Sequence, residues 1–282
     1  MNNTTTNFTL SVLAAAVLSA IIAALHTFLL TPLTIDALMA GDTIAKAQQG
    51  LRMMWYGMSA IAWTYPIVLL SLTIMRPSAT RAMLGLIASF NVAQAMFYLT
   101  ASLWIDPSSY VVLMLCVLHA AAGALVLYAR PPYQAGEPVA PRRGGYRLVL
   151  FCMALAIAAP NAVYHTVFAT LYGWPAELLA SNTPPAPKQM LYAMWLFSCV
   201  LFTSIPAALL WSLRAPAAAG RFVLRYLALL IATLMVSWGS AMALGIGPEL
   251  LPSGPISLGL LVALTALSAP PSKKIGKLGR IH

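Results

Sequence analysis

Apolar residues in this chain run in long unbroken stretches. They show neither the alternation of a half-buried strand nor the one-sided stripe of a surface helix. Eight stretches can be marked, at approximately 9–33, 50–74, 80–103, 109–129, 147–171, 189–213, 219–243 and 255–271, separated by polar, Pro- or Gly-bearing connections. About 20 apolar residues nearly free of charge predict a transmembrane helix, because a rise of 1.5 Å per residue carries them across a hydrocarbon core of roughly 30 Å. The last stretch has only 17 residues, about 26 Å of helix, and predicts a span that thins the bilayer locally or crosses it in part.

Composition narrows the class. The chain is 61% hydrophobic and 8% charged, against roughly a quarter charged in soluble domains. The expectation is an all-α polytopic membrane protein of eight helices whose first partner is the lipid bilayer. The net charge of +10 does not indicate nucleic acid, because its distribution follows topology. On the side of the N-terminus, around the connections after spans two, four and six and in the tail, lie thirteen basic residues, Arg76, Arg81, Arg130, Arg142, Arg143, Arg147, Arg214, Arg221, Arg225, Lys273, Lys274, Lys277 and Arg280, with one acid, Glu137. The opposite side carries three, Lys46, Arg52 and Lys188, with Asp36, Asp42, Asp106, Glu177 and Glu249. Such a bias over short loops predicts both termini in the cytoplasm of a plasma or inner membrane. The first nine residues contain no Lys or Arg, so the first stretch reads as a retained helix and not a cleaved signal.

The connection 130–146 is rich in Pro, Gly and Arg and reads as a flexible linker. Connections 34–49 and 172–188 face the other side, and Pro184, Pro185 and Pro187 predict an extended loop there.

Beneath the hydropathy lies a repeat. His26-Thr27, Met54-Trp55 and Pro66 return as His165-Thr166, Met194-Trp195 and Pro206, offset by 139 for the His and by 140 for the Trp and Pro. Tyr98 and Trp238, and Arg81 and Arg221, share the offset of 140. The expectation is two tandem four-helix units, 1–135 and 136–282, in the same orientation and related by a two-fold axis along the membrane normal.

Helical spacing places the repeated residues on faces. Ser11, Ala15, Ser19, Ala23 and His26 form one stripe, and Ala154, Ala158, Asn161 and His165 its counterpart. Small residues allow close helix contact in lipid, so both histidines are expected to face protein. Trp55, Ser59, Ala62 and Pro66 share a face, as do Trp195, Cys199, Phe202 and Pro206. Each proline removes a backbone bond, so kinks are expected at Pro66 and Pro206. His26, His165, Trp55 and Trp195 all fall roughly 8–10 Å below the outer surface. With the axis between spans one and five, they would line one outward-facing cavity.

An intramembrane ionisable residue is a functional candidate, although a neutral imidazole is also an ordinary hydrogen-bonding group and Trp an ordinary interface anchor. His26, His165, Trp55, Trp195 and Asn161 are the candidate ligand or proton site. His119, which lacks a counterpart in span eight, reads as structural. Transport of a small solute between the two units fits best. A haem or quinone held by His26 and His165 is the alternative, and a structural or assembly role with the basic tail on anionic lipid is a third. Enzyme chemistry lacks support: Ser19, Thr27 and Asn161 form no triad pattern, HExxH is absent, and Cys116, Cys152 and Cys199 lie at unrelated spacings. The three thiols are expected to be buried packing groups. Gly239 and Gly245 read as packing or helix-end positions, because no phosphate-loop or dinucleotide pattern surrounds them.

Overall fold

The computed structural model describes residues 3–74, 77–130, 145–243 and 253–269. Residues 131–144 of the expected linker 130–146, with Arg76, Gly245, Glu249 and the basic tail Lys273 to Arg280, lie outside the described residues.

The protein is an all-α polytopic membrane protein. Among the described residues, seven helices are long and apolar enough to cross a membrane: Phe8–Ala40, Ala45–Ile74, Ala79–Ile105, Tyr110–Tyr128, Tyr146–Ala180, Pro185–Trp211 and Ala217–Ser240. The stretch expected as an eighth span forms the shorter helix Ser253–Leu267. Large apolar side chains such as Val17, Phe28, Leu103 and Val117 are more than half exposed. A water-soluble surface would not carry so many, whereas lipid accepts them.

The first span is α1 (Asn3–Ala24), a π-helical turn (Leu25–Leu30) and α2 (Thr31–Ala40). Then come α3 (Ala45–Ser71), α4 (Pro77–Ile105) and α5 (Tyr110–Tyr128). The second half opens with α6 (Tyr146–Val163), a π-helical turn (Tyr164–Phe168), α7 (Ala169–Tyr172) and α8 (Trp174–Ala180). It continues with α9 (Pro185–Trp211), α10 (Ala217–Ala243) and α11 (Ser253–Leu267).

The neighbours come in matching sets. Helix α1 packs on α3 and α5, and α6 on α9 and α11; α4 packs on α5 and α9, and α10 on α11 and α3. The halves meet chiefly through α3, α4, α9 and α10 and not through the first and fifth spans, between which an axis was expected. The reason is visible in the side chains. Phe90 meets Phe197 edge-on at 5.6 Å, the Tyr98 hydroxyl reaches Met194 Sδ at 3.4 Å, and Leu234 fills the space left by Gly57.

Several boundaries differ from the expectation. The first and fifth spans run on as helix through Ala40 and, after a break at Gly173, to Ala180. The proline-rich stretch is not an extended loop throughout: Pro185 starts α9, because a proline in the first turn has no N–H to forfeit. Pro66 and Pro206, where kinks are expected, lie inside helices that continue past them, which a kink allows. Cys152 is exposed, while Cys116 is half-buried and Cys199 buried, so the thiols are not uniformly packing groups.

Candidate functional site

The helix interruption with chemical content lies at the histidines. In a π-helical turn the backbone bond spans five residues, which widens the turn and loosens one carbonyl. His26 lies in the first such turn and His165 in the second. A threonine five residues on serves each: Thr31 Oγ1 donates to the His26 carbonyl at 3.0 Å, and Thr170 Oγ1 to the His165 carbonyl at 3.0 Å. Each hydroxyl also accepts an indole N–H from the next long helix, Trp55 Nε1 at 2.8 Å and Trp195 Nε1 at 2.9 Å. The hydroxyl clamp therefore joins π turn to indole twice, with the two threonines 139 apart. Neither threonine stood out in the sequence, yet each follows its histidine by five residues.

The expected stripes are buried in part, with Ser11 half-buried. Ala15, Ser19, Ala23 and His26 are buried, as are Ala154 and Ala158, while Asn161 and His165 are half-buried. His26 stacks on Trp55 with ring centroids 4.0 Å apart and an 18° tilt. Its Nδ1 lies 2.9 Å from Ser59 Oγ, and Ser59 donates its only hydroxyl hydrogen to the Trp55 carbonyl at 2.9 Å. With that hydrogen on the carbonyl, Ser59 accepts from His26 Nδ1–H. The Nε2 of His26 is buried with no protein partner.

The second half uses other fillers. His165 stacks on Phe202 at 4.1 Å and 7°, and Trp195 is tilted 44° away at 5.9 Å. Cys199 stands where the first half has Ser59; its Sγ lies 3.5 Å from the His165 carbonyl and 3.7 Å from Thr170 Oγ1. His165 Nδ1 and Asn161 Oδ1 are buried without a protein partner.

The structure brings each histidine to the tryptophan of its own half but does not bring His26 and His165 into ring contact with each other. His119 is nearer to His26 in the fold, since α1 and α5 pack together. His119 Nδ1 bonds Asn91 Oδ1 at 3.0 Å, and Asn91 Nδ2 donates to the Ile87 carbonyl at 2.9 Å. That fixes the amide orientation and assigns Nδ1–H to His119 also. Tyr98 stacks on His119 at 5.6 Å, completing a line from α5 through α4 to Met194 on α9.

One further set of contacts crosses between the halves, and hydropathy gave no sign of it. Asp42 N–H donates to Asn182 Oδ1 at 3.1 Å and Asn182 N–H donates to Asp42 Oδ1 at 2.8 Å. The two residues are 140 apart, and such an exchange is what a two-fold contact produces. Beside it, Thr34 Oγ1 meets Met190 Sδ at 3.8 Å, while Trp174 covers Gly50 so closely that a Cβ there would collide with its ring. Thr34 and Trp174, like Gly50 and Met190, are also 140 apart. Gln48 Nε2 caps the carbonyls of Leu38 and Gly41, and Lys188 Nζ those of Leu179 and Ser181. These contacts tie the two loops at the end of the bundle remote from the arginine-bearing ends of α4, α9 and α10.

Comparison with protein-family models, with curated proteins and with solved structures finds no match to this chain.

Proposed function

We propose that this integral membrane protein is a carrier for a small solute, built as two tandem four-helix units of like orientation, eight spans in all, with both termini in the cytoplasm. The units are related by an axis along the membrane normal that runs through the contacts of α3, α4, α9 and α10. The observation that carries the reading is the recurrence, 139 to 140 residues apart, of a π turn bearing a histidine, clamped through threonine to a tryptophan. Paired units with interrupted helices suit alternate exposure of a site, and π turns concentrate at functional positions. The Asp42–Asn182 exchange, small and polar, acts as the outer closure. The unpartnered Nε2 of His26, with Asn161 and His165 in the other unit, supplies the solute or proton contacts.

Reconstituted vesicles assayed with a panel of labelled small solutes should take up at least one of them. Uptake should be lost in His26→Ala and arrested when a D42C/N182C pair is oxidised across the closure. Flux equal to that of empty vesicles for the whole panel overturns the reading.

A second reading, binding of a haem or quinone, is favoured by one observation. His26 and His119 are both held by their Nδ1–H, as metal-bound imidazoles are. The pair would be His26 with His119 in place of His26 with His165. A Soret band or co-purified quinone, lost in His119→Ala, would select it over transport.

A further inference from the structure

At the arginine-bearing ends of the helices, a groove of about 380 Å³ opens between α4, α9 and α10. That volume falls in the range of small-ligand sites, roughly 300–1,000 Å³. Its α4 wall runs from Ala82 to Ser89, about 10 Å along the helix axis, so it reaches from the charged edge well into the span. The lining is mostly apolar, with Ser89 and Ser204 the hydroxyl groups and Arg130 the charge.

The sequence explains why the groove is there. Positions 140 further on carry larger residues: Phe222 for Ala82, Arg225 for Gly85, Tyr226 for Leu86 and Leu229 for Ser89. In the second half the Tyr226 hydroxyl fills the matching place and bonds Thr64 Oγ1 at 3.0 Å. On the groove side the Thr64 equivalent is Ser204, and Leu86 cannot reach across to it. Gly85 also has a use here, since a Cβ would stand 3.2 Å from the Arg130 guanidinium. Arg130 Nε donates to the Arg81 carbonyl at 3.2 Å, which holds the guanidinium over Gly85 on the α4 wall. Partial burial and the neighbouring Arg81 charge lower the Arg130 pKa from its usual value; an anion between the two would offset both.

We infer that this groove seats an anionic phospholipid of the adjacent leaflet, phosphate against Arg130 and one acyl chain deeper in the groove, along Leu86, Ser89 and Ser204. An acyl chain matches the apolar wall and the length, the phosphate matches the guanidinium, and the bilayer supplies the molecule. The site is independent of the histidine-bearing turns and of the transport reading.

Trp211 lines the groove and reports on it. In phosphatidylcholine vesicles containing a minor fraction of chain-brominated lipid, the Trp211 emission is the difference between wild type and Trp211→Phe. It should be quenched more by brominated phosphatidylglycerol than by brominated phosphatidylcholine, with a preference of roughly fivefold for one basic contact. Arg130→Gln should remove the preference for the anionic head group. Leu86→Tyr, which copies the filled half, should remove the quenching by both lipids. Equal quenching by the two lipids in the wild type overturns the inference, as does a preference for phosphatidylglycerol that survives in both variants.

Discussion

The two histidine-bearing turns share a framework and differ in what fills it. In both, a threonine hydroxyl holds the histidine carbonyl and receives an indole N–H, at distances that agree to 0.1 Å (2.8 and 2.9 Å, 3.0 and 3.0 Å). The imidazoles nevertheless sit differently: His26 lies on Trp55 and is tied to Ser59, whereas His165 lies on Phe202 and is not tied at Nδ1. Two positions account for this. Phe202 stands where the first half has Ala62, and Cys199 where it has Ser59. A benzyl ring in place of a methyl group takes the stacking position and displaces Trp195, and a thiol is too weak a partner to fix a tautomer. Backbone construction thus tolerates divergence of the chemistry it carries, as expected when polar backbone groups in lipid must be satisfied first.

The comparison can be tested at decreasing scale. Phe202→Ala should have the largest effect, roughly 3–5 kcal/mol for a buried Phe, read as a lower unfolding midpoint in detergent. Trp195→Phe should leave His165 stacked, and a larger loss from that variant than from Phe202→Ala would mean that Trp195 is the true stacking partner. Next come Thr31→Val and Thr170→Val, each stranding a buried indole N–H at a cost of about 1–3 kcal/mol. The shared framework predicts similar losses in the two halves, and a loss confined to one would break it. Smaller still is the loop exchange. Asp42→Ala and Asn182→Ala should each remove one of the two exchanged bonds, at a cost of about 0.5–1.5 kcal/mol apiece, measured as unfolding stability; no loss from either variant would separate the two loops. The smallest effect is spectroscopic. Ser59→Ala should release the Nδ1–H tautomer of His26 in nitrogen NMR without unfolding the protein, while Cys199→Ala leaves the His165 tautomer balance unchanged.

The same contrast explains what could be read in advance. The apolar stretches were long enough that membrane crossing needed no further information, and small residues at helical spacing marked the buried faces of α1 and α6. The His, Trp and Pro recurrence pointed to both turns. It did not reveal the π geometry, because that depends on a hydroxyl bonding a carbonyl five residues back, and threonine is common in many settings. The prolines marked kinks at Pro66 and Pro206, and both lie inside helices that run on past them. Hydroxyls near by, Thr64 on the Ile61 carbonyl and Ser204 on the Leu201 carbonyl, each at 2.7 Å, supply local bonds to the backbone. The Asp42–Asn182 exchange was legible only as two polar residues at a spacing of 140.

The sequence alone determined the solvent of this protein, since runs of uncharged apolar residues have a lower free energy in hydrocarbon than in water whatever their neighbours. It also determined which helix faces are narrow enough to be packed closely. Tertiary structure decided which helices lie at the centre, pairing α3 and α4 with α9 and α10, and which ring each histidine rests on. In lipid, helix association depends on the fit of side chains from distant parts of the chain, and hydropathy carries no record of that fit.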